Sequence, residues 1–482
     1  MDTQRTQRFL RRTMLNVTTS CLALILAVTL AGCGGGTGSN SNNPNPTPTA
    51  KTPVQVNMGD SPADWMLAFS MNISSMSLTR SNGSATVVSS SMPIEMMHLM
   101  GTMQPLAMVS APQGTYTGAS ITIGSATVMY MNPTTKALVQ KTISGPISGT
   151  VTFSSPITVG STPMAMGFDL NLASSVTADT NGNLSMNPVF HVTSGMQGSG
   201  SPLDPTNGGI QQMMGSVSGV SGSSFTMTSM QAAQTFTFAT NSSTTFDGTS
   251  MGGMSSGMLV IVDASLQTDG SLMATKVQSM MGSGGVMGRG IITAVTGQAP
   301  TSLTMVMQNG VGTGMMSSYF AAGATIDLSG STTYEIDEDN MDMSGLPFTP
   351  VFDESHIYVG QSVMPMSSSG MMSGGMGGGM MGGSPMGGTI TASEMALEPQ
   401  GISGTAGMAI SSGATTSFTL TLPSDCAFTT LTGATSVTVF QQTATTVTGT
   451  SPIASGTSVH AFGLLFFDGG QWKMVAARIG AN

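Results

Sequence analysis

Charge is scarce in this chain: Asp, Glu, Lys and Arg make up only 7% of its 482 residues, against about 25% in an ordinary globular protein. Lys and Arg together number 12, too few for the cationic stripe that displaces counterions from phosphates. Nucleic acid is therefore excluded as a partner. Aromatic residues are 5%, so aliphatic side chains and Met must fill most of any core. The cysteines are three, Cys21, Cys33 and Cys426. Cys21 lies in an N-terminal leader and Cys33 directly follows it, so no intramolecular disulfide framework is available to the rest of the chain. Cys426 reads as a small buried residue, with no His near it in sequence to activate the thiol. A long apolar run is missing too. The stretch Cys21 to Ala31 has 11 residues, and a membrane-spanning helix needs about 20.

What is abundant is Gly, at 63 residues, and Met, at 46, in a text rich in Ser and Thr. Gly and β-branched Thr both lower helix propensity, and Ser and Thr hydroxyls compete for helical hydrogen bonds. Many short strands joined by Gly turns are expected instead. The expected fold is all-β: an N-terminal β-sandwich followed by about three small OB-like or related β-barrels. The length fits several domains.

The first 32 residues have the plan of an export signal. Arg5, Arg8, Arg11 and Arg12 precede the apolar stretch, which ends Leu30-Ala31-Gly32-Cys33. This ending resembles the lipobox of bacterial lipoproteins. The resemblance implies cleavage between Gly32 and Cys33, lipidation of Cys33, and anchoring in the cell envelope. Gly34, not Asp, follows the Cys, which resembles sorting to the outer membrane of a Gram-negative bacterium. Cleavage would leave eight basic and 21 acidic residues, a formal charge of −13. Residues 33–53, with no hydrophobic period, read as a tether spanning about 25 Å.

Residues 54–196 are expected to form the sandwich. Val54-Gln55-Val56-Asn57-Met58 and Ser120-Ile121-Thr122-Ile123 alternate as half-buried strands do. Asp179-Thr180-Asn181-Gly182 carries an Asn-Gly hairpin signal. Asp60-Ser61-Pro62-Ala63-Asp64, Gly114-Thr115-Tyr116, Phe168-Asp169-Leu170, Ser174-Ser175-Val176 and Asn187-Pro188-Val189 follow in that order. The set resembles domain of unknown function family 4382, which implies a sandwich in a secreted lipoprotein and assigns no chemistry.

Residues 197–212 read as a linker. Beyond it an internal repeat can be followed by spacing, giving barrels at 213–283, 287–398 and 399–482. Gly215-Ser216-Val217 is matched by Gly290-Ile291-Ile292 and Gly404-Thr405-Ala406. Ser224-Phe225-Thr226-Met227 is matched by Ser302-Leu303-Thr304-Met305 and Ser417-Phe418-Thr419-Leu420. Thr244-Thr245-Phe246 is aligned with Thr332-Thr333-Tyr334 and Cys426-Ala427-Phe428. Gly257 to Val260, Gly360 to Val363 and Gly456 to Val459 share a three-residue spacing. Each copy closes on a Gly turn and a strand, at 270–277, 388–395 and 470–477. Five short strands suit a small closed barrel. The first copy resembles domain of unknown function family 5666, also without assigned chemistry.

Sites for chemistry are few. His98, His191, His356 and His460 stand singly, without metal-ligand spacing. Gly248-Thr249-Ser250-Met251-Gly252 fits G-x-S-x-G, but lies in a Gly/Ser/Met loop without the strand-turn-helix context of a nucleophile elbow. The acidic run Glu335 to Asp342 lacks the ordered spacing of a calcium loop and reads as a solvated loop. Asp60 and Asp64 flank Pro62 and read as loop-closing residues. One constellation has a chemical character: Met364, Met366, Met371, Met372, Met376, Met380, Met381 and Met386, in an expected loop over 364–388. Thioethers are soft ligands for Cu(I), but Met also serves as core filler throughout. The leading expectation is a lipid-anchored, non-catalytic envelope protein with no cofactor. It would have a structural role, or bind a protein or glycan partner. The alternative is a Cu(I)-binding or oxidant-buffering protein working through the Met loop.

Overall fold

The computed structural model describes residues 50–61, 63–99, 102–179, 182–196, 207–230, 234–281, 286–312, 322–338, 341–367, 386–412 and 415–481. The described residues are mostly strand, with very little helix. Two sheets open it. One orders the strands Phe190–Met196, Met164–Asn171, Lys51–Ser61 and Met103–Pro112. The other orders Gly83–Val88, Met66–Arg80, Gly114–Met131 and Leu138–Val159, with Met92–Glu95 also beside Met66–Arg80. Val54, Met58 and Phe168 of the first share one core with Phe69, Ile73 and Ile123 of the second. Tyr116, fully buried, donates its hydroxyl to the Pro112 carbonyl at 2.8 Å. That bond ties the turn between two strands, as tyrosine corners do in other sandwiches. The Asn-Gly signal falls where expected, between the paired strands Val176–Ala178 and Leu184–Met186.

Two sequence expectations need correcting here. Lys51, Thr52 and Pro53, assigned to the tether, already pair with Pro112, Ala111 and Ser110. The strand through Val54 is also buried on both faces, because Gln55 and Asn57 are as enclosed as Val54 and Val56. Gln55 donates to Asn57 Oδ1 at 2.9 Å, which satisfies part of that polar face. Met108, opposite Gln55 in register, joins the core cluster of the first barrel. The outer face of this sheet is thus covered by the next domain.

Three barrels follow with one plan. In the first, Gly209–Ser221 pairs with Ser224–Ser229 on one side and Leu259–Leu266 on the other. Thr235–Ala239 continues from the second strand and meets Leu272–Met281 in parallel, which closes the cylinder. This strand order, 1-2-3-5-4-1, is that of an OB barrel. The second barrel repeats it with Val286–Val295, Ser302–Gly312, Ala322–Asp327, Ser362–Ser367 and Met386–Thr391, the last continued by Glu394–Leu397. The third uses Gln400–Ala406, Thr415–Thr421, Ser436–Gln441, Ser458–Asp468 and Gln471–Ala481.

The repeated glycines have two physical reasons. A Cβ on Gly215, Gly290 or Gly404 would come within 2.6, 2.1 or 2.4 Å of a carbonyl oxygen on the second strand. Gly257, Gly360 and Gly456 have φ of 87°, 95° and 89°, a backbone region that favours glycine. Their N–H groups donate to Val217, Ile292 and Ala406, and those residues donate back to the carbonyl after each glycine.

One expected alignment is overturned. Cys426-Ala427-Phe428 begins the helix Ala427–Thr432, inserted between the second and third strands of the last barrel. The true partner of Thr244 and Thr332 is Thr445. The hydroxyls of Thr244, Thr332 and Thr445 donate to the carbonyls of Ala274, Ala392 and Ala476 at 2.8, 2.9 and 2.7 Å. Each also accepts the N–H three residues earlier, from Asn241, Ser329 and Gln442. The closing strand of the third copy shifts by two residues accordingly, with Ile479 in place of Ala477 opposite the threonine strand. Replacing any one of these threonines by Val removes both bonds at nearly constant volume. The expected loss is about 1–2 kcal/mol, largest at buried Thr332 and measurable by urea denaturation. A loss under a few tenths at all three sites would contradict the clasp.

The barrels are not beads on a string. Gly209 to Gln212, assigned to the linker, are in the first barrel's opening strand. The second barrel's core cluster includes Leu464, Phe466 and Val475 of the third, and Phe348 packs between Phe440 and Phe466.

Candidate functional site

A groove lies between the sandwich and the first barrel. The sandwich contributes Pro53, Met108 and Ser110; the barrel contributes Thr235 and Thr237 of its third strand and Ser271 of its last turn. The volume is about 460 Å³, within the range of small-ligand sites, about 300–1,000 Å³. The barrel wall is formed by its second and third strands and the turn between the fourth and fifth, the region OB barrels use for polymer ligands. Gly270 makes the approach possible, since a Cβ there would meet Pro53 at 2.6 Å. No lining residue carries a charge. Hydroxyls, a thioether and methyl groups can accept a neutral ligand and offer no counter-charge to a phosphate. The sequence held no signal for this site, because Ser, Thr and Met occur everywhere in it.

A second, smaller feature lies where the sandwich meets the second and third barrels. Glu95 is fully buried. It accepts the N–H of Phe69 and Met97 at 3.1 Å each, that of His98 at 3.0 Å, and His98 Nδ1 at 2.8 Å. His98 Nε2 is left without a hydrogen-bond partner. Burial, opposed by Glu95, pushes the imidazole below its usual range. Arg289 pairs with Glu398 at 2.9 Å and donates to the Pro399 carbonyl. The adjoining cavity, about 60 Å³, is also lined by Asp64 and Cys426, and is on the scale of a few waters. Burial pushes both the Asp64 carboxyl and the Cys426 thiol up. The Cys426 thiol lies by Thr429 and Phe428 of the following turn and feels the Asp64 charge.

The residues singled out in the sequence scatter. Gly32 and Cys33 lie outside the described residues, as do Met371, Met372, Met376, Met380 and Met381. Met364 and Met366, expected in the loop, are instead buried in Ser362–Ser367 against Met214, Leu259 and Ile261 of the first barrel. Met386 begins a strand, in register with Gly323. Asp60 is no loop residue: it sits near the end of Lys51–Ser61, with both carboxylate oxygens buried and without a hydrogen-bond partner. Burial, followed by the charges of Asp169, Glu95 and Asp64, raises its carboxyl well above the ordinary range. His356 pairs with Asp353 at 2.7 Å near the surface. His460 Nδ1 meets Ser403 Oγ at 3.0 Å, and burial together with the Arg478 charge pushes it down to about 4. Among the described residues, no three His, Cys, Asp or Glu side chains are grouped to hold a metal, and no helix is long and apolar enough to cross a membrane.

These features define an all-β protein of one sandwich and three barrels of a single strand order. Residues 214–278, within the first barrel, match a family model described as a domain of unknown function (DUF5666). Family 4382 gives no match, and no curated protein matches the chain.

Proposed function

We propose that this is a lipid-anchored cell-envelope protein with a binding role and no catalysis, its ligand seated in the uncharged groove between sandwich and first barrel. The groove carries the reading, being large enough for a ligand and lined only by neutral groups. The anchor rests on the Leu30-Ala31-Gly32-Cys33 ending and the four preceding arginines. The sandwich and the shared strand order of all three barrels support a protein built for binding, with loops and grooves on rigid sheets.

Two experiments test the two halves. Cys33→Ser should move the protein from the membrane to the soluble fraction and abolish fatty-acid labelling. Membrane attachment that persists without label would end the lipoprotein reading. For the groove, the protein and a Thr237→Trp variant should be screened against neutral oligosaccharides and uncharged extended peptides. Thr237 is exposed in the groove, so the indole should fill it without disturbing the barrel. Binding lost in the variant is the expected result; binding that survives it, or that favours anionic ligands, would overturn the assignment.

A further inference from the structure

Two strand edges line the groove between the sandwich and the first barrel. Met103–Pro112 is the last strand of its sheet, paired on one side with Lys51–Ser61, and among the described residues no strand pairs with its other side. Residues of an antiparallel pair alternate between those that bond each other and those that turn N–H and C=O away. The Gln113 N–H donates to the Ala50 carbonyl at 2.8 Å, so by register Ala111 and Val109 bond Thr52 and Val54. Met108 and Ser110, opposite Gln55 and Pro53, therefore turn their main-chain groups outwards. Pro53, without an N–H, fits the second kind of position. Pro112, next on the outer edge, brings no N–H either, and its carbonyl already accepts Tyr116. The open edge thus ends at Ser110.

The barrel wall has the same character. Thr240 donates its N–H to the Ser223 carbonyl and Ser229 to the Gln234 carbonyl, both at 2.8 Å, which fixes the alternation between the second and third strands. Thr235 and Thr237, opposite Thr228 and Thr226, turn their main chain away from the second strand. The closing strand meets the third only at Phe238 and Ala239, which leaves the edge open at Thr235. Val109 and Phe236 both line the groove, although their side chains pack into the cores of sandwich and barrel. What they present to the groove is main chain. Neither strand carries a charge, and residues 106–111 include no proline. The devices that guard an edge in natural proteins are missing.

We propose that the groove is a strand-addition site, which takes an extended, uncharged segment of another polypeptide as a new strand on Met108 and Ser110, with the barrel's third strand as the opposite wall. The inference rests on the groove being the binding site and names its ligand as a peptide, not a saccharide. The outward amides of Met108 and Ser110 recur every second residue, about 7 Å, which is the repeat of an extended peptide. Main-chain bonds supply the affinity in such sites, so recognition tolerates many sequences. The exposed side chains beside the edges, Ser110, Thr235 and Thr237, are neutral. No lining charge compensates an Asp, Glu or Lys carried into the groove.

The test titrates the full-length protein with a library of end-capped octapeptides drawn from Ala, Ser, Thr, Val, Asn and Gln, and separately with maltohexaose and cellohexaose. Peptides should bind. In the best binders, N-methylation of the alternate amides that face the edge should weaken binding about tenfold per bond, and that of the intervening amides less than about twofold. Ser110→Pro removes an outward N–H that the ladder with Lys51–Ser61 does not use, and proline is accepted on such an edge. It should weaken peptide binding about tenfold, whereas Ser110→Ala, which keeps the N–H, should not. If Ser110→Pro fails to fold, the N-methyl series still decides. Losses without a two-residue period, or undiminished binding by Ser110→Pro, would overturn strand addition. Binding of a hexasaccharide alone would overturn it and leave the groove reading standing; binding of neither ligand would end both. A dimer of the protein that Ser110→Pro dissociates would place a second copy on the edge and also overturn the peptide assignment.

Discussion

Replacing Glu95 by Ala should destabilise the sandwich by about 3–5 kcal/mol, a large part of the 5–15 kcal/mol typical of a domain. The buried carboxylate accepts three backbone N–H groups and His98 Nδ1. Alanine leaves all four donors without a partner and without water, at about 1–3 kcal/mol each before any relaxation. Glu95→Gln keeps one acceptor oxygen but turns an NH₂ towards donors, and should lose roughly half as much. Trp65, packed edge-on to Tyr130 at 5.4 Å in the sandwich, reports the transition by fluorescence in urea. A loss below about 1 kcal/mol for Glu95→Ala would mean that water or another acceptor replaces the carboxylate.

Arg289→Ala should cost about as much, 3–5 kcal/mol by the experience of broken buried ion pairs. The Arg289 and Glu398 side chains are 8% and 4% exposed, so Glu398 would be left as a buried charge. Replacing both together, Arg289→Met with Glu398→Leu, should recover most of the loss, because neither charge then needs compensation. The Arg289 charge also adds to the burial that holds His98 below its ordinary range. An imidazole depressed in the folded state takes up its proton more readily in the unfolded chain, so stability falls as pH drops below the ordinary His range. Arg289→Met should shrink that acid sensitivity. A double variant no better than Arg289→Ala alone would show that packing, and not the unpaired charge, sets the penalty.

The repeat was legible wherever a backbone constraint wrote a residue type into the text. Gly215, Gly290 and Gly404 are forced by a close carbonyl, and Gly257, Gly360 and Gly456 by positive φ. Both sets could therefore be aligned by spacing alone. The threonine clasp was found in two copies and missed in the third. Thr445, 28 residues past Ser417, falls within the spacing of the other copies, 20 from Ser224 to Thr244 and 30 from Ser302 to Thr332, but Cys426-Ala427-Phe428 at the start of the helix Ala427–Thr432 offered a chance likeness of sequence. The Met run was legible as composition only. Nothing in its periodicity distinguished Met364 and Met366, which fill an interface, from the residues between 368 and 385.

Local chemistry by itself determined the all-β class, the turn glycines, the Asn-Gly hairpin and the strand alternation at Ile121 and Ile123, since each depends on neighbours a few residues away. Tertiary structure alone decided which faces are buried. Gln55 and Asn57 look exposed in an alternating strand, yet they are covered because Met108 joins the first barrel's core. The uncharged groove, the Glu95–His98 pair against Arg289, and the bonds from Gln211 and Gln212 to Arg478 and Asp337 of the other barrels all join residues far apart in sequence. No periodicity encodes such contacts. They arise when separately closed barrels bury their remaining apolar surface against one another, and the polar groups carried into those contacts must then find partners.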